Sequence, residues 1–370
     1  MTDATPGMVG PAPRPADNAG VRVRHAVALA ALIASLVAPA VAPAADVPPQ
    51  RLRVVGSLAS IHLFTRHEEP FWTRDLPRAS GGRLTADIVP FDRAGILPGE
   101  MLRLVQLGTV PFGTAMLPNS AAQDPELLAV DLAGLNPDIA TLRRSAETLR
   151  PHYARLLAER HGIELLALYT YPSQVTFCRK PLAGLADLAG RRIRVSSATQ
   201  ADFVGALGAQ AVQTPFAEIV PSVVAGNLDC AITGTMSGNT VGLHEQTSHI
   251  HSMPVTWGLS AFIANGAAWR ALGPEAQALL RRELARVEAD VWRAAAEETG
   301  DGIACNVGAE ACRSGRKGRM VEVRESAEDR KLRREVLVRA VLPAWLKRCG
   351  PSCAALWQQS IGPSLGIALP

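Results

Sequence analysis

Asp187-Leu-Ala-Gly-Arg-Arg-Ile-Arg194-Val, followed by Gly208-Ala, Pro215-Phe216-Ala-Glu218 and Gly226-Asn-Leu-Asp229, is the stretch on which the reading of the fold turns. The Asp/Gly turn feeds a short apolar strand that carries an arginine. A helix follows, then a second strand ending in acid. The first strand is short, so Arg194 stands at or near its end, where α/β proteins place their ligands.

The same alternation extends outward in both directions. RLRVVG (51–56) is a β-branched strand, 67–79 is helical, and Gly81-Gly82 stops that helix before the strand LTADIVPF (84–91). PGEMLRLVQL (98–107) has helical spacing with Gly108 as its C-cap, and TVPFGTAM (109–116) reads as a strand. Pro111 puts that strand at a sheet edge, or marks its start. A helix covers 138–161, and strands cover 164–171, 173–180 and 260–265. Pro274 opens a long amphipathic helix over 274–299, rich in Ala, Leu, Glu and Arg and about 38 Å long. A helical segment over 326–349 is broken at Pro343, and 354–360 forms a short helix. The pattern predicts an α/β protein with mixed sheets.

At the N-terminus, a polar segment carrying Arg14, Arg22, Arg24 and His25 precedes the apolar run 26–42. Two small-x-small sites follow, Ala38-Pro-Ala40 and Ala42-Pro-Ala44. That order predicts a secretory signal peptide over 1–44, cut after Ala44 or Ala40; the other reading is a retained anchor. The remaining ~325 residues exceed one comfortable core, so two lobes are expected. Lobe one takes 45–171 plus 259–299, and lobe two takes 172–258 plus 300–370. The net charge of +4 is mild and scattered, which argues against nucleic acid as a partner. RSGRKGRMVEVR (313–324) is the one basic knot and reads as a solvated loop, or as a docking patch for an acidic partner.

The six cysteines form an even set, as expected of disulfides in an exported chain. Cys305 with Cys312 and Cys349 with Cys353 can close locally, which leaves Cys178 with Cys230 among the 15 formal pairings. Neither redox Cys-x-x-Cys nor zinc-ligand spacing is present.

Taken in order, SGGRLTADIVP, EMLRLVQLG with TVPFG, LADLAGRRIRV and LGAQAVQTPFAEIVPSVVAGNLD resemble the substrate-binding protein of a tripartite ATP-independent periplasmic (TRAP) transporter. The resemblance spans nearly all of the chain after the leader, and the last two motifs are the most specific. It implies a two-lobed periplasmic solute-binding fold with crossing strands and a long lobe-spanning helix. The lobes would close by hinge motion on an organic acid, and the closed form would pass to membrane permease subunits driven by an ion gradient. No catalysis and no cofactor are implied. Oligomeric state is left open.

The family's ligand-bridging arginine corresponds to Arg194, whose planar fork suits a carboxylate. The alternative is an interlobe salt bridge to Asp229 or Glu218. At least one of the flanking Arg191 and Arg192 is expected to be solvated. Sialic-acid-binding members carry a second arginine about where Gln174 stands, an acid near Met116 and an asparagine near Thr233. These departures predict a ligand held by a single carboxylate, smaller or less hydroxylated than sialic acid. Phe216 matches a pocket aromatic, or is core. Trp257 walls the cleft, or packs between lobes. Residues 233–239 form a polar Gly-rich loop in which Thr235, Ser237 and Asn239 donate to an anion, or a plain connection. Ser57 and His62, after the first strand, are the candidates from the first lobe.

Two further functions compete. A sensor subunit would use the same fold and ligand but present the closed form to a signalling receptor. An exported hydrolase is disfavoured, because Gly234-Thr-Met-Ser237-Gly238 has one residue too many for a nucleophile elbow. His244, Glu245, His249 and His251 miss the helix spacing of a zinc peptidase and read as helix-end or surface groups.

Overall fold

A computed structural model describes residues 48–369, so the expected leader lies outside the described residues. The strands are β1 (Gln50–Gly56), β2 (Leu84–Pro90), β3 (Phe112–Met116), β4 (Ile163–Thr170), β5 (Gln174–Cys178), β6 (Arg192–Val195), β7 (Gln210–Gln213), β8 (Cys230–Gly234), β9 (His249–Thr256), β10 (Leu259–Asn265) and β11 (Val321–Val323). They build two mixed sheets, ordered β2-β1-β3-β10-β4 and β11-β9-β5-β8-β6-β7. The chain crosses from the first sheet to the second between β4 and β5, and returns between β9 and β10. This is the two-lobed α/β architecture with crossing strands.

β1 runs parallel to β2 along its whole length and to β3 at its end. β3 lies inside the sheet, flanked by β1 and β10, so Pro111 marks the start of the strand and not a sheet edge. Asp229 stands one residue before β8, and its acid precedes the strand instead of ending it. Helix Ile139–His161 begins on the Asp138 side chain, which accepts the Thr141 N–H at 2.7 Å, and ends at left-handed Gly162.

The long helix is Pro274–Val307, eight residues beyond the expected end, and spans about 51 Å. It runs on past Gly300 because Gly302 serves a close contact and does not stop the helix. A Cβ there would sit 2.5 Å from the Met236 amide nitrogen. The helix also shields the outer edge of β4. Glu288 Oε2 accepts the Leu168 N–H at 3.1 Å, and Trp292 Nε1 donates to the Leu168 carbonyl at 2.9 Å.

Three expectations need correction. Residues Thr235–Thr240 form a helix, not a loop. The segment 326–349 is not broken at Pro343: Ala327–Val336 passes through a π-helical turn, Leu337–Val341, into Leu342–Cys349. The wider turn accommodates a proline that has no N–H to donate. The basic knot contains β11, which pairs in parallel with β9. β9 itself escaped the sequence reading because its histidines and Pro254 hide the strand pattern.

The three disulfides pair as expected: Cys178–Cys230, Cys305–Cys312 and Cys349–Cys353. The first joins directly opposed residues of β5 and β8. The C-terminal helices touch elements hung on both sheets. Trp345 Nε1 donates to the Pro125 carbonyl at 2.8 Å, and Arg348 pairs with Asp202 on helix Ala198–Ala206.

Candidate ligand-binding cleft

A cleft of ≈ 470 Å³ opens between the two sheets. The first lobe contributes Leu58, Ile61, Met116 and the 91–99 loop, in which Leu97 is 65% exposed. The second contributes the start of β5, the end of β6, the 213–217 segment and the end of β8. Of the residues expected at the site, Met116, Gln174, Arg194, Phe216 and Thr233 come together on its walls. The walls are mostly apolar, and Arg194 is their one cation.

The strand order explains the position of Arg194. β6 lies between β7 and β8. The side chain lies across the sheet, where Nε donates to the Thr214 carbonyl at 3.0 Å and Nη1 to the Ile232 carbonyl at 2.7 Å. Among the described residues Nη2 has no hydrogen bond, and no carboxylate forms an ion pair with this guanidinium. Asp229 is taken by Arg192, whose Nε and Nη2 hold it at 3.0 and 2.9 Å. Arg194 is 5% exposed, and burial pushes its guanidinium down to about 10. The expected solvated neighbour is Arg192, whose side chain is 40% exposed while it holds Asp229. Arg191 donates to the carbonyls of Lys180 and Pro181 at 3.0 and 2.6 Å.

The family model "Bacterial extracellular solute-binding protein, family 7" (DctP) matches residues 68–308. The chain belongs to the DctP family. Members of that family are binding proteins of transporters, not enzymes. No curated protein matches the chain. Solved structures share its fold. A Bordetella pertussis extracytoplasmic solute receptor binding pyroglutamic acid is 20% identical, over 84% of this chain and 99% of that one, at a TM-score of 0.73. A Desulfovibrio salexigens TRAP periplasmic solute-binding protein with bound orotic acid is 18% identical, over 83% and 96%, at 0.72. A Shewanella oneidensis TRAP protein with bound succinate is 18% identical, over 82% and 97%, at 0.70. Among the described residues no helix is long and apolar enough to cross a membrane.

Apart from Ser237, the other residues expected at the site of this DctP-family chain lie off the cleft walls, each held by a partner. Ser57 is buried, and its N–H and Oγ both donate to Glu68 Oε2 at 2.7 Å. Burial raises the Glu68 carboxyl, which Thr114 also bonds. His62 Nδ1 lies 2.7 Å from Glu298 Oε1 on the long helix. Thr235 Oγ1 donates to the Glu298 carbonyl at 3.2 Å. Asn239 is fully buried; its Nδ2 donates to Asn306 Oδ1 and the Arg316 carbonyl, and its Oδ1 accepts the Arg316 N–H. Trp257 is core, its Nε1 donating to the Asn136 carbonyl at 3.0 Å. Ser237 lines the cleft, but as part of a helix. The polar side chains of 233–239 are thus divided between the cleft and the packing of one helix on another.

His251 and His244 are buried, not surface groups. His251 Nε2 lies 3.2 Å from Asp329 Oδ2, because β9 is covered by the C-terminal helices on that face. Asp301, Cys305 and Cys312 crowd together, but both sulfurs are joined in a disulfide. The Asp301 carboxylate accepts the Arg313 and Ser314 N–H groups, so the cluster holds a loop. The sequence reading missed the 91–99 loop, Ser196 and Thr214. The apolar Ile96-Leu97-Pro98 between two glycines was the available signal, since a loop tip has no core reason to be apolar.

Proposed function

We propose that this protein is the extracytoplasmic receptor of a TRAP transporter, that it takes one carboxylate of an organic acid on Arg194, and that it closes its lobes over the ligand's apolar body. The observation that carries this reading is a buried guanidinium without an acidic partner, facing an apolar cleft. An unpaired buried cation is costly, and a ligand carboxylate removes that cost in a water-poor site. The partly satisfied fork pre-orients the guanidinium, so little freedom is lost on binding.

Gln174 and Met116 add no second charge, which fits a single anchored carboxylate. Fold relatives carry pyroglutamate, orotate and succinate, all carboxylates. A membrane permease is the receiving partner, and the 1–44 leader is the export signal.

The test is a thermal-melting screen of residues 45–370 against aliphatic, aromatic, 2-oxo and sugar acids. Ligand at ~100 times its dissociation constant adds about 2.7 kcal/mol, a shift of several degrees. One class of acid should stabilise the wild type and leave Arg194→Gln unmoved. A flat screen on folded protein, with no acid co-purified by native mass spectrometry, contradicts the reading.

A further inference from the structure

We infer that Gln200, which lines no part of the cleft, is a positioning residue that fixes Gln174 as a hydrogen-bond donor, so that the cleft selects acids bearing an acceptor oxygen over acids bearing an amine. This deepens the carboxylate reading and rests on it.

A glutamine side chain can usually turn its amide by half a rotation, presenting either a donor or an acceptor. Here the network forbids the turn. Gln200, in the first turn of helix Ala198–Ala206, is 1% exposed. Its Oε1 accepts the Ser196 backbone N–H at 2.8 Å and the Ser196 Oγ at 3.2 Å. A backbone N–H can only donate, so that end of the amide must be oxygen. Nε2 then points the other way, with one proton for Thr256 Oγ1 at 2.8 Å and one for Gln174 Oε1 at 3.2 Å. Every position on the Gln200 amide is used.

Gln174 inherits this polarity. Its Oε1 receives from Gln200, and its Nε2 donates to the Trp257 carbonyl at 3.2 Å. A carbonyl can only accept, so the chain of bonds is anchored by backbone at both ends. Reversing both amides would set N–H against N–H at Ser196 and oxygen against oxygen at Trp257. Gly258 leaves room for this amide, since a Cβ there would lie 2.5 Å from Gln174 Nε2. Gln174 lines the cleft with Arg194, and the proton left on its Nε2 is a donor. A ligand carbonyl or similar oxygen satisfies that proton. An ammonium or N–H placed there leaves two donors facing each other and unpaired.

The test uses calorimetric titration with matched acids: oxo acids with the carbonyl at successive positions, the amino acids with nitrogen at the same positions, and the unsubstituted parents. The wild type should favour the best oxo acid over its amino partner by about tenfold or more. Gln200→Met keeps the side-chain volume but leaves the Trp257 carbonyl as the one remaining anchor of the Gln174 amide. It should bring that ratio towards one while binding the unsubstituted acid as before. Gln174→Glu cannot donate and should reverse the ratio, and it decides the matter if Gln200→Met does not fold. Equal binding of oxo and amino partners by the wild type, or an unchanged ratio in Gln200→Met, overturns the inference even though acids bind. If no acid of any kind binds, the receptor reading itself fails.

Discussion

A guanidinium held between two backbone carbonyls already has most of its geometry set before any ligand arrives. Arg194→Lys keeps the charge but loses the fork that reaches Thr214 and Ile232, and should weaken acid binding by roughly 2 kcal/mol. The apo melting point should fall, because a buried ammonium is more strongly hydrated than a guanidinium and cannot span both carbonyls. Asp131 is the counterpart at the hinge. Its carboxylate is buried and receives the Trp257 and Gly258 N–H groups at 2.8 and 2.7 Å, where the chain returns from β9 to β10. Burial outweighs those bonds and pushes its carboxyl up to about 6. The folded protein therefore holds this proton more tightly than the unfolded chain, and the group's contribution to stability falls as pH rises from about 4 to about 6. Asp229 and Asp329 behave oppositely. Arg192 holds the first down to about 2. The Leu185 and Ser326 donors outweigh burial at Asp329 and hold it there too. Their stability is present above about pH 4 and is lost as pH falls towards 2. Melting should accordingly rise on going from pH 7 to 5, and Asp131→Asn should flatten that slope; an unchanged slope would remove Asp131 as its source. The position of Arg194 on the cleft wall was legible because its strand matches the family's arginine-bearing motif. The role of Asp131 was not, because its partners stand 126 and 127 positions away in the chain.

At the scale of elements, the decisive contacts are those that set the long helix against the second lobe. Gly302 packs on the amide of Met236 and the Thr235 side chain. Gly302→Ala should force the two helices apart and lower stability by about 1–3 kcal/mol, despite the better helix propensity of alanine. A variant as stable as the wild type in chemical denaturation would show that the contact is loose. Among the disulfides, Cys178–Cys230 closes the longest loop, 52 residues, against 7 and 4. On loop entropy it is worth ~4 kcal/mol and the others less, so the Cys178→Ala/Cys230→Ala pair should show the largest fall in melting temperature of the three. The sequence revealed these elements unevenly. Helices and β-branched strands read clearly, since one periodicity fits each. The 235–240 helix and β9 did not, because Gly, Ser and Thr in the first and histidines in the second carry no periodic apolar signal. Thr235 and Asn239 looked like anion donors for the same reason: a polar side chain in a short segment gives no sign that a neighbouring helix will bond it.

At the scale of the whole molecule, two sheets joined by two crossings and one long helix leave few routes for motion. The crossings at 171–173 and 257–258 lie beneath the cleft, and Gly258 adopts φ +79 there. Gly258→Ala should strain that turn and displace the Gln174 amide, weakening ligand binding as well as stability. Closure over a ligand should also appear in solution as a smaller radius of gyration by X-ray scattering when the stabilising acid is added; no change would argue for a rigid cleft. Closure rests on a narrower event, the proposed meeting of one carboxylate with one buried, unpaired arginine. The most direct measurement is isothermal titration of the stabilising acid into wild-type protein and into Arg194→Gln, at one pH and ionic strength. A loss of about 100-fold or more in affinity is expected, with the melting point of the free protein nearly unchanged. Equal affinity in the two proteins would contradict it.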